Sequence, residues 1–303
     1  MITSFSGDPR IVGQLSVIIP IGAMRGKLDN FIKTIVSTTS KAVEFIVVID
    51  DKKDGTAEEV REFLASKKNE FEFLILQQEF NGPGPARNAG LKVARNPWII
   101  FCDSDDVLWV DRVCEELHGV KSSDEFIIGN YSVKSNNHTH YSHSSNLASV
   151  ALNPGIWRIA IRRSKASQTR FPHLLLAEDQ IFLIYCGLFK SKPIFSKHIF
   201  YIYHLGIVGQ LSSKSKNGEH LVNALEEISK YSKTLKVFSR ENIYLGIISA
   251  RLTTTYLRMS PRQIKKLLKS FHFVNICRLL GFAIGLFLII ASSARRSEEK
   301  NDK

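Results

Sequence analysis

Residues 98–106 read WIIFCDSDD, so four apolar residues are followed almost directly by three carboxylates. A short apolar run of this kind is typical of a buried β-strand, and an ionised carboxylate is costly to bury without a partner. We therefore expect Asp103, Asp105 and Asp106 to lie at the carboxyl end of a strand, where open α/β sheets bind ligands. Clustered carboxylate oxygens suit Mg²⁺ or Mn²⁺ and, through the metal, a phosphate-bearing substrate. Taken alone, the motif is equally compatible with a solvated, Asp-rich turn.

Around this stretch, the first hundred residues alternate between apolar runs and helical spacing. Apolar runs predict buried strands at residues 15–20, 44–49, 71–76 and 98–101. Helical spacing of apolar residues predicts helices over 27–38 and 56–67, and a loop and helix over 84–94. Strands and helices that alternate over short connections favour a parallel sheet covered by helices on both faces. The expected fold class is therefore α/β.

Four polar clusters fall at the ends of these predicted elements. They are Asp50-Asp51 after the second strand, residues 81–90 (NGPGPARNAG) after the third, residues 103–106 after the fourth, and Glu178-Asp179 at the start of a later helix. The carboxyl ends of parallel strands lie along one edge of a sheet, so we expect the first three clusters to converge on one crevice. Taken alone, Glu178 and Asp179 are better explained as ordinary acids at a helix N-terminus, and it is their place in this set of clusters that favours catalysis.

The composition is that of a globular protein. Of the 303 residues, 44% are hydrophobic, which is a normal fraction for a packed core, and the length allows one large domain with an appendage or two ordinary domains. The four cysteines are scattered without a C-x-x-C spacing, so no disulfide framework or zinc site is expected and a reducing cytosol is the simplest compartment. The first ten residues lack the apolar run of a cleavable secretory signal.

The net charge of +12 is unevenly distributed along the chain. The first 150 residues carry four more acidic than basic side chains, whereas residues 151–303 carry an excess of 16 basic ones. A basic second half favours anionic partners such as membrane headgroups, phosphorylated substrates or nucleic acid. Nucleic acid is disfavoured, because the basic residues are interleaved with a long apolar run instead of groove-reading or base-stacking motifs.

The C-terminal residues predict membrane association. Ser260-Pro261 is a helix-start signal. In the helix after it, one face is apolar and the other is basic, as in an interfacial amphipathic helix; the faces are Ile264, Leu267, Leu268 and Phe271, and Arg262, Lys265, Lys266 and Lys269. Residues 279–294 then form an apolar run that ends at Arg295-Arg296. This run is somewhat short for a span of about 20 residues, so both a full span and a shallow insertion are left open, with a buried core helix as the alternative.

Histidines outside these clusters give weaker signals. His138, His140 and His143 form an H-x-H-x-x-H pattern, but Ser, Asn and Thr surround it. An exposed loop or edge hairpin is therefore favoured over a metal cluster. His204 could contact a diphosphate or a metal, although simple packing is equally compatible.

In their order along the chain, these motifs resemble those of inverting nucleotide-sugar glycosyltransferases of family 2, which have the GT-A fold. LSVIIP (15–20) resembles the opening strand of that family, IVVIDD (46–51) its second strand with paired Asp, and NGPGPARNAGL (81–91) its Gly-rich segment. IIFCDSDD (99–106) resembles the strand that leads into the D-x-D motif, and AEDQIFL (177–183) the helix that carries a Glu-Asp pair. The resemblance covers about residues 14–190.

For the donor, the resemblance implies that Asp50 and Asp51 contact the base and ribose of the nucleotide and that Arg87 and Asn88 help to hold it. Asp103 would reach the ribose or a water molecule on the metal. The family usually continues with Gly-Ser after the paired Asp, whereas residues 52–55 read KKDG here, so base recognition is less firmly implied. The Q-x-x-R-W signature of processive polysaccharide synthases does not occur in the sequence.

For the chemistry, the resemblance implies that Asp105, together with Asp103, ligates a divalent cation, Mn²⁺ or Mg²⁺. Asp179 would be the general base, with Glu178 or a neighbour orienting the acceptor, and Asp106 is expected only to cap the next helix. Inverting transfer requires both functions. A base takes the proton of the acceptor hydroxyl, and a metal stabilises the charge on the leaving nucleoside diphosphate.

The sequence thus predicts four segments: a GT-A domain over residues 14–212, a helical extension with the basic amphipathic helix over 213–270, a hydrophobic membrane-associated segment over 271–296 and a polar tail over 297–303. The expected protein is a glycosyltransferase at the cytoplasmic face of a membrane. It would move one sugar from a nucleotide-diphosphate sugar to a glycan or lipid-linked acceptor. The rival hypotheses are a nucleotidyltransferase on a similar sheet, a basic protein that binds nucleic acid, and a non-catalytic membrane scaffold.

Overall fold

A computed structural model describes residues 2–5, 13–80, 82–135, 138–206, 218–259 and 276–301 of the chain. The strands are β1 (Ile2–Phe5), β2 (Leu15–Ile21), β3 (Val43–Asp50), β4 (Glu72–Gln78), β5 (Trp98–Phe101), β6 (Val107–Leu108), β7 (Phe126–Lys134), β8 (Thr139–Ser142), β9 (Ile159–Arg162) and β10 (Ile194–His204). The helices are α1 (Asp29–Val36), α2 (Thr56–Ser66), α3 (Pro83–Val93), α4 (Val110–Leu117), α5 (Leu147–Leu152), α6 (Arg163–Ala166), α7 (Glu178–Tyr185), α8 (Gly218–Ser232), α9 (Arg240–Met259) and α10 (Ile276–Asn301).

The strands of the described residues form one mixed sheet in the order β1-β4-β3-β2-β5-β9-β7-β10-β6, with β8 paired to β7. Neighbouring strands within the group β4, β3, β2 and β5 are parallel, as the sequence predicts. β1 and β9 run antiparallel to this group on its two sides. β10 is parallel to β7 and antiparallel to β6. The α/β class is therefore confirmed, with a parallel centre inside a mixed sheet.

Strands β2, β3 and β5 are buried along almost their whole length, and most of their residues are apolar. Every residue of β3 before Asp50 is buried, as expected for a parallel strand in a sheet covered on both faces. α3 packs closely on this sheet at Gly90, where an added Cβ would lie 2.5 Å from Ile18 Cγ2. A glycine of the NGPGPARNAG segment is thus needed for helix–sheet packing.

The ends of the parallel strands lie along one edge of the sheet, which we call the carboxyl edge. In the register of the sheet, Ile21 pairs with Ile49 and Asp50 pairs with Gln78. The chain leaves β5 at Phe101, which pairs with Ile18. The residues that follow β3, β4 and β5 therefore come together at this edge, as predicted.

Two compact units divide the chain, and both are discontinuous in sequence. The first contains Met1–Ser144, Gly155–His173 and Ser191–Gln210, and it includes the sheet. The second contains Ser145–Pro154, Leu174–Lys190 and Leu211–Lys303, and it includes α5, α7, α8, α9 and α10. The linear segment boundaries expected from the sequence stay predictions.

The second unit contains the predicted apolar run, which forms part of α10. The predicted basic amphipathic helix after Ser260 lies outside the described residues. Across the ranges that the structure describes, no helix is long and apolar enough to cross a membrane. Membrane association stays a prediction.

The histidine-rich stretch of the first unit belongs to the hairpin of β7 and β8. His138, His140 and His143 are all exposed. The prediction of an exposed edge hairpin is confirmed.

Candidate active site

Two carboxylates end β3 at the carboxyl edge. Asp50 is the last residue of the strand, and its Oδ1 accepts a hydrogen bond from the Phe80 amide at 2.8 Å. Its Oδ2 pairs with Lys52 Nζ at 3.0 Å. The carboxylate of Asp51 accepts a hydrogen bond from the Lys53 amide at 3.2 Å and lies on a half-buried turn. Asp50 thus ties the chain after β4 to the end of β3, and Asp51 presents its carboxylate at the edge.

The KKDG turn after these acids has a structural role of its own. Lys53 and Gly55 have positive φ angles of 55° and 88°, which reverse the chain before α2. Asp54 accepts hydrogen bonds from the Thr56 amide at 3.1 Å and the Thr56 hydroxyl at 2.9 Å. Within the segment that replaces the Gly-Ser pattern, Asp54 therefore holds Thr56, the first residue of α2.

Arg87 of α3 makes an ion pair with the acidic turn after β5. The side chain is buried, and its Nη2 donates to Asp103 Oδ1 at 2.6 Å. The guanidinium carbon lies 5.5 Å from the centroid of the Phe171 ring. Because a buried guanidinium requires a carboxylate partner, Arg87 and Asp103 fix each other. Arg87 acts on the edge through Asp103, and its direct contact with a nucleotide stays a prediction.

Asn88, the next residue of α3, uses both ends of its amide group on one segment of backbone. Its Nδ2 donates to the Phe171 carbonyl at 3.0 Å, and its Oδ1 accepts from the Phe171 amide at 2.9 Å. The Phe171 ring packs edge-on against Phe101, the last residue of β5. Asn88 thus anchors the segment that covers Arg87, and its contact with a nucleotide stays a prediction.

Residues 103–106 form a tight turn that Tyr201 of β10 braces at both ends. The Tyr201 hydroxyl accepts from the Asp103 amide at 3.1 Å and donates to Asp106 Oδ2 at 2.9 Å. Asp106 is fully buried, and its Oδ1 accepts from the His204 amide at 2.6 Å. The expectation that Asp106 caps the next helix is wrong, because these contacts draw its carboxylate into the core. α4 instead follows Trp109, without a side-chain cap.

Burial favours the protonated forms of Asp106 and Tyr201. It raises the pKa of Asp106 to about 7, and the nearby carboxylates of Asp105 and Asp103 add to the rise. Burial also raises the pKa of Tyr201 well above its ordinary value, so the hydroxyl stays a donor. His204 Nδ1 lies 3.5 Å from Asp106 Oδ1. Of the three carboxylates of the motif, that of Asp106 therefore has a structural role, because it holds the turn through Tyr201 and His204.

Asp105 is the predicted metal ligand of this turn. Its side chain is half-buried, and its backbone carbonyl accepts from Asn30 Nδ2 at 2.6 Å. No three His, Cys, Asp or Glu side chains of the described residues are grouped so that they could hold a metal ion. The candidate donors are the carboxylates of Asp105 and Asp103. These fit a Mg²⁺-like ion, which proteins commonly hold by one or two carboxylates together with substrate phosphates.

Glu178 and Asp179 lie in the first turn of α7, in the second unit. Glu178 is buried and Asp179 is half-buried. Asp179 Oδ1 accepts from the Gln180 amide at 2.8 Å, and both acids are placed favourably for the dipole of the helix. The predicted donor and metal residues therefore belong to the first unit, and the predicted base belongs to the second.

Three residues that support the site were not identified from the sequence. Tyr201 braces the acidic turn, Asn30 holds the Asp105 carbonyl, and Phe171 covers Arg87. None of them lies in a recognisable motif. Their roles depend on contacts between distant segments, such as the 95 residues that separate Tyr201 from Asp106.

Sequence comparisons relate this architecture to known proteins. The family model described as "Glycosyl transferase family 2" matches residues 16–191. The chain is 30% identical over 125 residues to the Escherichia coli protein "UDP-Glc:alpha-D-GlcNAc-diphosphoundecaprenol beta-1,3-glucosyltransferase WfgD", and the alignment covers 41% of this chain and 47% of that protein. In three other curated relatives, the aligned segment makes up 37%, 17% and 16% of the protein.

Solved structures show the same fold. The S. aureus TarS structure of residues 1–349 with UDP-GlcNAc superimposes with a TM-score of 0.65 at 17% identity, over 85% of this chain and 79% of that chain. The mannosyltransferase PcManGT from Pyrobaculum calidifontis, in complex with GDP-Man and Mn²⁺, gives a TM-score of 0.56 at 16% identity, over 93% and 82% of the two chains. The expected GT-A fold is thus confirmed. Because the family match spans more than half of the sequence, this chain belongs to glycosyl transferase family 2.

Proposed function

We propose that this chain transfers a single sugar, with inversion, from a nucleoside-diphosphate sugar to a hydroxyl group of a glycan or lipid-linked acceptor at the cytoplasmic face of a membrane. The observation that carries the proposal is the convergence of Asp51, the Arg87–Asp103 pair and Asp105 at the carboxyl edge. Three successive strand ends contribute these groups, which is where α/β sheets bind nucleotides.

The relatives support the classes of donor and acceptor. TarS and PcManGT were solved with UDP-GlcNAc and GDP-Man, which supports a nucleotide-sugar donor for this chain. The name of WfgD specifies a sugar carried on diphosphoundecaprenol, which supports a lipid-linked acceptor. The aligned segments cover less than half of WfgD and of the three other curated relatives, so donor and acceptor are both part of the proposal.

In this proposal, the first unit binds the donor. The carboxylate of Asp51 accepts hydrogen bonds from the nucleoside, with Asp50 holding the turn beneath it. Arg87 holds Asp103 by their ion pair and orients it towards the ribose or a metal-bound water. Its guanidinium also balances the negative charge that a diphosphate brings to an acidic turn.

Asp105, with the second oxygen of Asp103, would hold the divalent cation. A bound Mn²⁺ or Mg²⁺ would act as a Lewis acid on the oxygens of the leaving diphosphate. The Tyr201–Asp106 brace and the Asn30 contact keep the backbone of the turn in one conformation. The position of Asp105 is therefore set before the donor arrives.

Asp179 acts as the general base in this proposal. The acceptor hydroxyl oxygen forms a bond to the anomeric carbon as the bond from that carbon to the diphosphate oxygen breaks, and the hydroxyl proton passes to the Asp179 carboxylate. A positioned base typically contributes a factor of about 10²–10⁴ to such a rate. Glu178 orients the acceptor from the same turn of α7.

The proposal is tested with the purified full chain, Mn²⁺ and a panel of UDP- and GDP-linked sugars without acceptor. The expected result is slow release of nucleoside diphosphate from one member of the panel, suppressed by EDTA. Release of pyrophosphate would instead identify a nucleotidyltransferase. Failure of every sugar nucleotide to bind or to turn over would contradict the proposal.

A further inference from the structure

α9 and α10 of the second unit pack against each other through glycines. An added Cβ at Gly281 of α10 would lie 2.0 Å from the Ile243 carbonyl oxygen of α9. At Gly246 of α9, an added Cβ would lie 2.2 Å from the carbonyl oxygen of Arg278. At Gly285, one turn after Gly281, an added Cβ would lie 2.9 Å from Ala250 Cβ and 3.0 Å from Ile247 Cα. The G-x-x-x-G spacing on α10 faces a G-x-x-x-A spacing on α9, so the two backbones come into direct contact.

The opposite side of α10 is apolar and exposed. We call it the outward face, and it consists of Leu279, Leu280, Ala283, Phe287 and Ile290. The exposed fractions of its four large side chains are 46%, 53%, 70% and 66% in sequence order. At about 100° per residue, these positions fall on the side of the helix that faces away from Gly281 and Gly285.

Arg278, the one charged residue close to this segment in the described part of α10, is turned inward. It is buried, and its Nη2 lies 3.4 Å from Ser249 Oγ of α9. The outward face therefore presents no charge to its surroundings. A contiguous exposed apolar face of this kind marks an interaction surface.

The sequence on either side of the apolar run of α10 identifies the occupant of this face. Basic residues precede it at Arg262, Lys265, Lys266 and Lys269, and Arg295 and Arg296 follow the apolar run. Basic clusters next to an apolar helix are complementary to anionic lipid headgroups. A protein partner would be expected to bring acidic groups to the rim instead of a continuous apolar phase beyond it.

We propose that the outward face of α10 is a lipid-docking surface that inserts into the headgroup boundary of an anionic bilayer. The glycine contact with α9 keeps one side of α10 on the protein, so the helix lies along the membrane with the other side in lipid. The side chains that enter the lipid are those of the outward face. Lipid docking does not depend on the proposed sugar transfer, because it needs neither donor nor acceptor.

The test is flotation of the full chain with vesicles of phosphatidylcholine alone and of phosphatidylcholine mixed with phosphatidylglycerol in equal amounts. The wild-type chain is expected to float with the anionic vesicles and much less with the neutral ones. For the triple variant Leu280→Gln, Phe287→Gln, Ile290→Gln, the partition coefficient onto the anionic vesicles is expected to fall at least about tenfold. The reason is that three exposed apolar side chains no longer enter the lipid.

A matched triple variant separates this face from apolar exposure in general. Val36, Val237 and Phe238 are exposed by 56%, 50% and 82%, and their replacement by Gln is expected to leave flotation unchanged. Equal flotation of the wild type and the α10 variant would overturn the proposal. So would a wild-type dimer in buffer that the α10 variant converts to monomer without loss of lipid binding, since the face would then join two copies of the chain.

Discussion

At the scale of single residues, the acidic turn shows three carboxylates in three environments. Asp103 is paired with Arg87, Asp106 is buried against Tyr201, and Asp105 is half-buried with its carboxylate at the carboxyl edge. Identical side chains within four positions therefore have different chemistry, because each faces a different neighbour. The environment of Asp105 is the one that suits a metal ligand.

Asp105→Ala is expected to abolish the metal-dependent hydrolysis of the sugar nucleotide. The change removes the carboxylate that we assign to the ion, and it leaves the Tyr201 brace and the Arg87–Asp103 pair in place. The measurement is nucleoside diphosphate release at increasing Mn²⁺ concentrations. Glu58→Ala, at an exposed acid of α2, is the control and should behave as wild type. If Asp105→Ala keeps full activity and EDTA does not reduce that activity, Asp105 is not a metal ligand.

Asp106→Asn is expected to change the pH dependence of stability. Since burial raises the pKa of Asp106 from 3.8 to about 7, the native state binds more protons than the unfolded state between these values. The free energy of unfolding of the wild type therefore falls as the pH rises through that range. Asp106→Asn cannot ionise at this position, so its free energy of unfolding should decline less steeply as the pH rises.

This comparison is made by urea unfolding of the metal-free chain in EDTA at several pH values. The difference in slope between the two proteins reports the ionisation of Asp106. Parallel slopes would mean that Asp106 titrates in the folded chain as it does in the unfolded one.

At the scale of elements, the two edges of the parallel strands have separate tasks. At the amino edge, Glu44 of β3 is buried and accepts from Ser16 Oγ at 2.5 Å and from Arg95 Nε at 2.9 Å. Arg95 also pairs with Glu72 of β4. This network ties the beginnings of β2, β3, β4 and β5 together. It lies six residues before Asp50 along β3, or about 20 Å from the carboxyl edge.

Glu44→Gln is expected to lower the free energy of unfolding by about 2 kcal/mol, because buried donors lose a charged acceptor. Donor hydrolysis at saturating substrate should stay within about twofold of wild type, since the site lies at the other edge. Urea unfolding and nucleoside diphosphate release measure the two effects, with Glu58→Gln as the exposed control. A loss of activity in a folded Glu44→Gln protein would contradict this division between the edges.

Helix packing in the second unit gives a further prediction. Gly281→Leu is expected to destabilise the full chain by about 2 kcal/mol, because its side chain would collide with the backbone of α9 at Ile243. Ala283→Leu, on the exposed side of the same helix, is the matched control and should change stability by less than about 0.5 kcal/mol. Thermal unfolding measures both. Equal stability of the two variants would show that the glycine contact is not needed.

At the scale of the whole molecule, the chain builds two units from interleaved segments. Residues of α7 belong to the second unit although they lie between segments of the first. The predicted binding residues and the predicted base are thus on different units. Binding and proton transfer should consequently respond separately to mutation.

Asp179→Asn is expected to retain donor affinity within about twofold and to lower sugar transfer by about 10²–10⁴-fold, because it removes the base alone. Equilibrium binding of the sugar nucleotide and transfer to an acceptor are measured on the same preparation. Glu226→Gln, at an exposed acid of α8, is the control in the same unit. Unchanged transfer by Asp179→Asn would rule out its role as base, and a parallel loss of donor binding would place it in the donor site instead.

The parallel centre of the sheet, the position of the acids after its strands and the family could all be predicted from the amino-acid sequence. These features follow from local patterns, because an apolar run that ends in carboxylates specifies both a buried strand and where it must end. The exposed histidine hairpin could also be predicted from a local pattern, because Ser, Asn and Thr surround its histidines. The apolar composition of α10 could also be predicted, but the sequence pattern did not distinguish the side that contacts α9 from the outward face.

The contacts that each side chain makes depend on the tertiary structure. It directed Asp106 to Tyr201, 95 residues away, gave Asp103 its Arg87 partner, and turned the glycines of α10 towards α9 with the outward face exposed. Local patterns report periodicity and burial along one segment. The neighbours of a side chain depend instead on the order of strands and the packing of helices, which join residues that are distant in the sequence.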